Sequence, residues 1–362
     1  MTHARPRLPG VVAAAALLLA CACGDDDVGG GACSSGADLP ALLAEARTAA
    51  LARGATASAG LDRVGASLRA ARAAARPARA TEALRADVAE ALLAFADFEP
   101  YAYGPDGSLE TVARVNPFPL DEAAVAAYLT GASDGGDFPT APPAFDRGLP
   151  ALEYAVFGED ELPAGALDDP DLDTLISRIQ RDLALARSAW EDAGAWPQDG
   201  GTAAGSSLGV LVNAASRHFE DLRRDRLGTP AGVTTLGFPN PHTVQAPHAG
   251  LSLALLRRGV EASRAVFAGT SEATGLDAYL AGLDGPEAAS LATDIAAQYD
   301  AILTALAAVD EPLAAAVDDG GDPEDVRAAY NALSRQVVNL KTDLPAVACV
   351  AITYVDNPSD SD

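Results

Sequence analysis

The stretch Thr81 to Pro100 reads TEALRADVAEALLAFADFEP, and its apolar residues Leu84, Val88, Leu92, Phe95 and Phe98 recur at spacings of three and four. That spacing places them on one side of a helix with 3.6 residues per turn, so the segment predicts an amphipathic α-helix that buries a single stripe. Thr81 is a good N-cap, because its hydroxyl can accept from an early backbone N–H, and Pro100 supplies the stop. Working outward, the same pattern returns in Leu172, Leu175, Ile176, Ile179, Leu183 and Trp190, preceded by the capping acids Asp168 and Asp169. It returns again in Leu208, Leu211, Val212, Ala215, Phe219 and Leu222, then in Leu251, Leu255 and Val260, then from Leu291 through Leu313. Alanine-rich stretches at Ala41 to Arg53 and Leu61 to Ala75, and a last helix from Pro323 to about Leu340, complete the set.

Alternation of period two is confined to the short tail Val347 to Val355, so the expected fold is all-α. Glycine- and proline-rich breaks fall at Gly104–Gly107, Gly131–Pro143, Gly194–Gly205, Thr229–Pro247 and Gly320–Pro323. Four or more helices on each side of the Gly194–Gly205 break suggest two packed up-and-down helical bundles, one over residues 38–194 and the other over 205–356.

The chain has 51 Asp and Glu against 25 Lys and Arg in 362 residues, a net charge of -26. Such a surface repels polyanions, which excludes nucleic acid as a partner. The amino terminus has Arg5 and Arg7, an apolar run from Val11 to Ala20, and then Cys21. This is the layout of a secretory signal over residues 1–20, too short for a membrane span. Leu18-Leu19-Ala20-Cys21 resembles the bacterial lipobox, in which Cys21 is diacylated; Cys23 is the alternative. Removing the signal leaves 23 basic against 51 acidic residues, a net -28, so an acyl anchor rather than charge must hold the protein at an anionic membrane. Residues 21–37, rich in Asp, Gly and Ser, read as a flexible tether, and residues 357–362 as an acidic tail. Ala22 after Cys21 fits lipid anchoring at the outer membrane, facing the periplasm. In that oxidising compartment Cys33 and Cys349 can join the start of the folded body to its end, although counting cysteines does not fix the pairing.

Several segments in order resemble the imelysin family, also called the iron-regulated protein A or insulin-cleaving membrane protease family. Phe145-Asp146-Arg147-Gly148-Leu149-Pro150-Ala151-Leu152-Glu153-Tyr154-Ala155-Val156-Phe157-Gly158 is similar to its Gly-x-His-x-x-Glu signature. Arg226 to Gly232, Ala246 to Ser252, and Leu340 to Tyr354 are similar to further family regions, and the likeness spans roughly residues 38 to 356. The resemblance implies two helical bundles with a ligand or metal between them and a role in iron or other divalent-metal acquisition. Its implied site residues are Asp146, Arg147, Glu153, Tyr154, His248 and Ser252.

This chain departs from the signature at the histidine, which is Pro150. A His and a Glu three residues apart share a helical face and can supply nitrogen and oxygen to one metal. Proline has no donor atom, though it suits a first helical turn, where its missing N–H is not needed. Glu153 then reads either as a first-turn carboxylate favoured by the helix dipole or as a retained ligand. His218 and Asp221, three apart on one helix, are substitute metal ligands, set against a solvated face suggested by Arg217, Arg223 and Arg224. His242 and His248 sit in a proline-rich loop beside a helix start, facing either the cleft or solvent. No His-Glu-x-x-His motif is present. The expected function is therefore a non-catalytic binding lipoprotein of the bacterial envelope. The alternatives are a scaffold lipoprotein whose site has decayed and the metallopeptidase of the family name.

Overall fold

The computed structural model describes residues 38–74, 78–129 (78–81 by backbone alone), 147–158, 166–193, 196, 201–203, 205–269, 275–318 and 324–353. The signal segment, Cys21, Cys23, Cys33, the tether, Asp146 and the acidic tail lie outside these residues. Among the described residues the elements are helical and no β-strand occurs. No described helix is long and apolar enough to cross a membrane.

The first group contains α1 (Leu39–Ala73), α2 (Ala78–Phe98), α3 (Thr111–Val115), α4 (Glu122–Leu129), α5 (Gly148–Phe157) and α6 (Asp171–Asp192). The stripe Leu84, Val88, Leu92, Phe95 and Phe98 is buried, at most 3% exposed, and each such side chain contributes roughly 2 kcal/mol by leaving water. Helix α2 starts at Ala78, three residues before the expected cap at Thr81. The two alanine-rich stretches expected before it form one 35-residue helix, α1, with Asp38 accepting from the N–H of Ala41. The glycines between them do not break it, because they are contact points. A Cβ on Gly54 would lie 3.1 Å from the Phe98 ring, and one on Gly60 would lie 3.3 Å from the Ala91 Cα. Small residues at these places let α1 and α2 lie close along their length. Helix α6 packs against α1 and α5, and its Leu172, Leu175, Ile176, Ile179 and Leu183 are buried.

The second group contains α7 (Ser207–Asp221), α8 (Ser252–Ala268), α9 (Leu276–Ala281), α10 (Pro286–Ala308), α11 (Leu313–Asp318), α12 (Glu324–Val338) and α13 (Leu344–Val347). Ser206 caps α7 by accepting from the N–H of Gly209. Helix α10 packs on α8, α9 and α12, and α8 on α2 of the first group, so the two helical groups lie side by side. The described residues belong to one compact unit. Two π-helical segments, Leu222–Gly228 after α7 and Asn339–Asp343 after α12, both pack against α7. The alternating tail is not a strand in its described part; the N–H of Ala351 bonds the Thr202 carbonyl instead. Cys349 is disulfide-bonded, and its partner lies outside the described residues.

Candidate functional site

Helix α5 begins where the chain is held tightly. Gly148 has φ of 74°, and a Cβ there would lie 2.4 Å from the Val115 carbonyl oxygen, so only glycine lets α5 start against the end of α3. Pro150 occupies the first turn as expected. Glu153 follows in the second turn, which removes the reading of a first-turn carboxylate held by the helix dipole; it is 1% exposed. Burial pushes its carboxyl from 4.5 up to about 7, against the opposing effects of the Ala249 N–H and the neighbouring His248. Glu153 Oε1 accepts from the Ala249 N–H at 2.5 Å, while Oε2 is buried without a hydrogen-bond partner.

The loop that meets Glu153 belongs to the other helical group. Between Leu227 and Leu256 the sequence holds no Asp, Glu, Lys or Arg, so this connection can lie against the interior without burying charge. Ala246 at φ 47° and Gly250 at φ 66° turn the chain back, and Ser252 Oγ donates to the Gln245 carbonyl at 2.5 Å. His248 is thereby set against the Tyr154 ring, centroids 5.0 Å apart and planes tilted by 52°, with Nε2 2.8 Å from Glu122 Oε1. The structure thus brings Glu153, Tyr154 and His248 together, with Ser252 fixing the loop that carries His248. His242 stands apart, exposed in a turn of 3₁₀ helix. Arg147, also nearly buried, lies at the start of α5.

A second polar cluster sits in the same seam. Glu99, just after the α2 stripe, accepts from Asn116 Nδ2 and from Arg226 Nη2, each at 3.4 Å. Gln245 Nε2 donates to Asn116 Oδ1 at 3.3 Å, which joins this cluster to the loop held by Ser252. His218 is 1% exposed, with Nε2 3.9 Å from Glu99 Oε2, beyond hydrogen-bond reach. Both of its ring nitrogens are without a hydrogen-bond partner, as is Arg226 Nη1. Burial drives the His218 pKa from 6.5 down to about 4, so the imidazole is neutral.

The solvated face expected for His218 is therefore corrected. Arg217 instead covers the Tyr103 ring at 4.7 Å, and Arg223 lies over Tyr330 at 5.8 Å, which leaves their charged ends outward and the imidazole inside. Asp221 faces Tyr103, whose hydroxyl donates to it at 3.1 Å. Its pKa rises from 3.8 to about 6 through burial and the adjacent Asp225. Glu99, Asn116, Arg226 and Gln245 were not anticipated from the sequence as site residues. The signal was present, since Glu99 lies four residues after Phe95 and seven after Leu92, on the buried face of α2.

The donor set does not make a metal centre by itself. Among the described residues no three His, Cys, Asp or Glu side chains converge as ligands. Glu153 keeps a vacant oxygen, but His248 is directed to Glu122, and the cationic Arg226 shares Glu99 with the space beside His218. This arrangement suits a polar molecule that offers its own donors and acceptors more than a bare ion.

Against known proteins, the chain matches no curated protein. It is similar in structure to a protein named as an iron-regulated protein A precursor from Parabacteroides distasonis, with a TM-score of 0.69 and 14% identity over 88% of this chain and 97% of that one. It is similar also to an imelysin-like protein from Psychrobacter arcticum, with a TM-score of 0.67 and 17% identity over the same shares, 88% and 97%. At these identities the likeness speaks to the fold, and both are helical proteins of the type expected above. The family model for imelysin, peptidase family M75, matches residues 48–340, and by that match the chain belongs to the imelysin family.

Proposed function

We propose that this protein is a non-catalytic, lipid-anchored binding protein of the bacterial envelope, facing the periplasm from the outer membrane and working in iron or metal acquisition. Its ligand is a polar solute held in the seam between the two helical groups. A chelated metal fits this description, because the chelator brings the donors that the protein lacks. The observation that carries the reading is the buried, unpartnered Oε2 of Glu153, supported by the unpartnered nitrogens of His218 and Arg226. Buried polar atoms left without partners cost about 1–3 kcal/mol each, a cost that a bound polar ligand removes. The iron-regulated name of one structural relative supports the link to iron, and the lipobox supports the anchor.

Hydrolysis through metal-bound water needs about three protein ligands and an open position. Pro150 removes one of them, and among the described residues no three His, Cys, Asp or Glu side chains converge to replace it.

Calorimetric titration of the mature protein with ferric citrate, and separately with ferrous, ferric, copper and zinc ions, tests the proposal. Saturable heat with the chelate that is lost in Glu153→Gln is the expected result. Absence of saturable heat with every probe defeats it. In Pro150→His, new affinity for zinc would show that the position still faces an ion-coordinating geometry.

A further inference from the structure

Val233, Leu236 and Phe238 stand on the turn that follows the π-helical segment Leu222–Gly228, and they are 41%, 94% and 73% exposed. Among the described residues the exposed large apolar side chains are these three, Leu185 and Val338, so three of the five fall within six residues. From this projecting apolar tip we propose that residues 233–238 enter the headgroup region of a phospholipid bilayer and set how the anchored protein faces its membrane. The proposal takes the bilayer from the lipid-anchored reading above; the loop's own chemistry supplies the rest.

Residues 228–256 hold no Asp, Glu, Lys or Arg, in a chain where 21% of residues are charged. Burial accounts for that absence at Val244, Gln245 and Ala246, but Leu236 and Phe238 point outward, where a charged side chain would keep its water. The chain as a whole, at net -26, is repelled by an anionic leaflet, and an uncharged projection approaches one without that repulsion. Lipid offers no hydrogen-bond partners, so a segment that enters it must satisfy its own polar groups. Much of that is in place here. The N–H groups of Gly232, Val233, Thr235, Gly237, Phe238 and Asn240 donate to carbonyls within residues 228–235 at 2.8–3.2 Å. Thr235 Oγ1 donates to the Phe238 carbonyl at 2.6 Å, and the Thr229 and Thr234 hydroxyls pair at 2.9 Å. The base of the loop is closed, because a Cβ on Gly232 would lie 2.6 Å from the Pro239 nitrogen, while one on Gly237 at the tip would meet nothing within 4 Å. Leu236 is held at φ of 56°, a disfavoured backbone for leucine, and its outward side chain gains no packing in return. A second copy of the chain is the other candidate occupant. Stable protein interfaces bury about 800 Å² per partner, and three side chains on a narrow tip offer much less, whereas shallow entry into headgroups needs no broader face.

The test places an indole on the tip. The mature chain with Phe238→Trp is held through an amino-terminal histidine tag on vesicles of phosphatidylethanolamine and phosphatidylcholine doped with a nickel-chelating lipid, with and without brominated acyl chains. Trp190 and Trp196 are buried, so the parent protein on the same vesicles supplies the background to subtract. The added indole should emit at shorter wavelength than in solution and lose about half of its fluorescence to the brominated lipid, as a side chain below the headgroups does. Leu185→Trp, which puts an indole on an exposed position of α6, should show neither change. An unquenched indole at position 238, or equal quenching at 185, overturns the proposal. So does a blue shift that grows with protein concentration in the absence of vesicles, which would assign the tip to a second copy. Circular dichroism checks folding, and if Phe238→Trp loses its helicity Leu236→Trp is read by the same criteria. Because the tag replaces the acyl chain, the result does not depend on the anchor; mass spectrometry of Cys21 tests that separately.

Discussion

Glu153 and His218 are held in opposite ways by the same cause. For Glu153, burial raises the carboxyl from 4.5 to about 7, so between these values the native state holds more protons than the unfolded chain. Its ionisation therefore costs stability as pH rises through that window, on the order of 3 kcal/mol once both states are ionised. Glu153→Gln should gain melting temperature over the parent protein at pH 8.5 and little or none at pH 5; equal differences at both would refute the burial argument. For His218 the native pKa near 4 lies below the ordinary 6.5, so the unfolded chain takes up the proton first as pH falls. Stability is lost from about pH 6.5 down to 4. His218→Leu removes an imidazole that makes no hydrogen bond, and should be within about 1 kcal/mol of the parent at pH 7.5 and more stable than it at pH 5. Thermal melts across pH check both, and an acid loss that persists in His218→Leu would place it elsewhere.

Helix α5 depends on a single close approach. Gly148→Ala places a Cβ 2.4 Å from the Val115 carbonyl oxygen at a φ of 74°, whereas Gly237→Ala, at a φ of 84°, meets nothing within 4 Å. The second change costs only the left-handed backbone, roughly 1–2 kcal/mol, while the first must also move α3 or α5 and should cost at least twice that. Denaturant unfolding of the two variants, with equal losses, would show that the α3–α5 contact yields freely. The helices themselves were legible because apolar residues kept a 3.6-residue period, as in α2, α6 and α7. Their ends were less so: α1 runs through Gly54 and Gly60 because the helix has a partner at both, and one chain's periodicity does not show the partner. His218 lies three residues after Ala215 and seven after Leu211, on the buried stripe of α7, but three neighbouring arginines gave that face a solvated look. Glu153 and His248 were named from resemblance, whereas their meeting depends on an uncharged loop returning from the other half of the chain.

At the scale of the whole molecule, the disulfide at Cys349 and the seam are what join distant parts of the sequence. Each of the other three cysteines lies within the first 33 residues, so the bridge closes a loop of over 300 residues and restricts the unfolded chain strongly. Reduction, or Cys349→Ser, should lower the melting temperature by several degrees, and non-reducing peptide mapping identifies the partner; an unchanged melt would mean that the bridge adds nothing to the folded body. The seam is where the first group, through Glu99, Asn116, Glu122, Glu153 and Tyr154, meets the second, through His218, Arg226, Gln245 and His248. Buried polar side chains from both sides meet there with several atoms unpartnered, beside a core built mainly of apolar side chains. The most direct measurement is a high-resolution crystal structure of the mature protein grown with ferric citrate, read at Glu153. The account predicts non-protein density within hydrogen-bond distance of Oε2, extending into the seam; an Oε2 satisfied by the protein's own groups, with no bound solute, would contradict it.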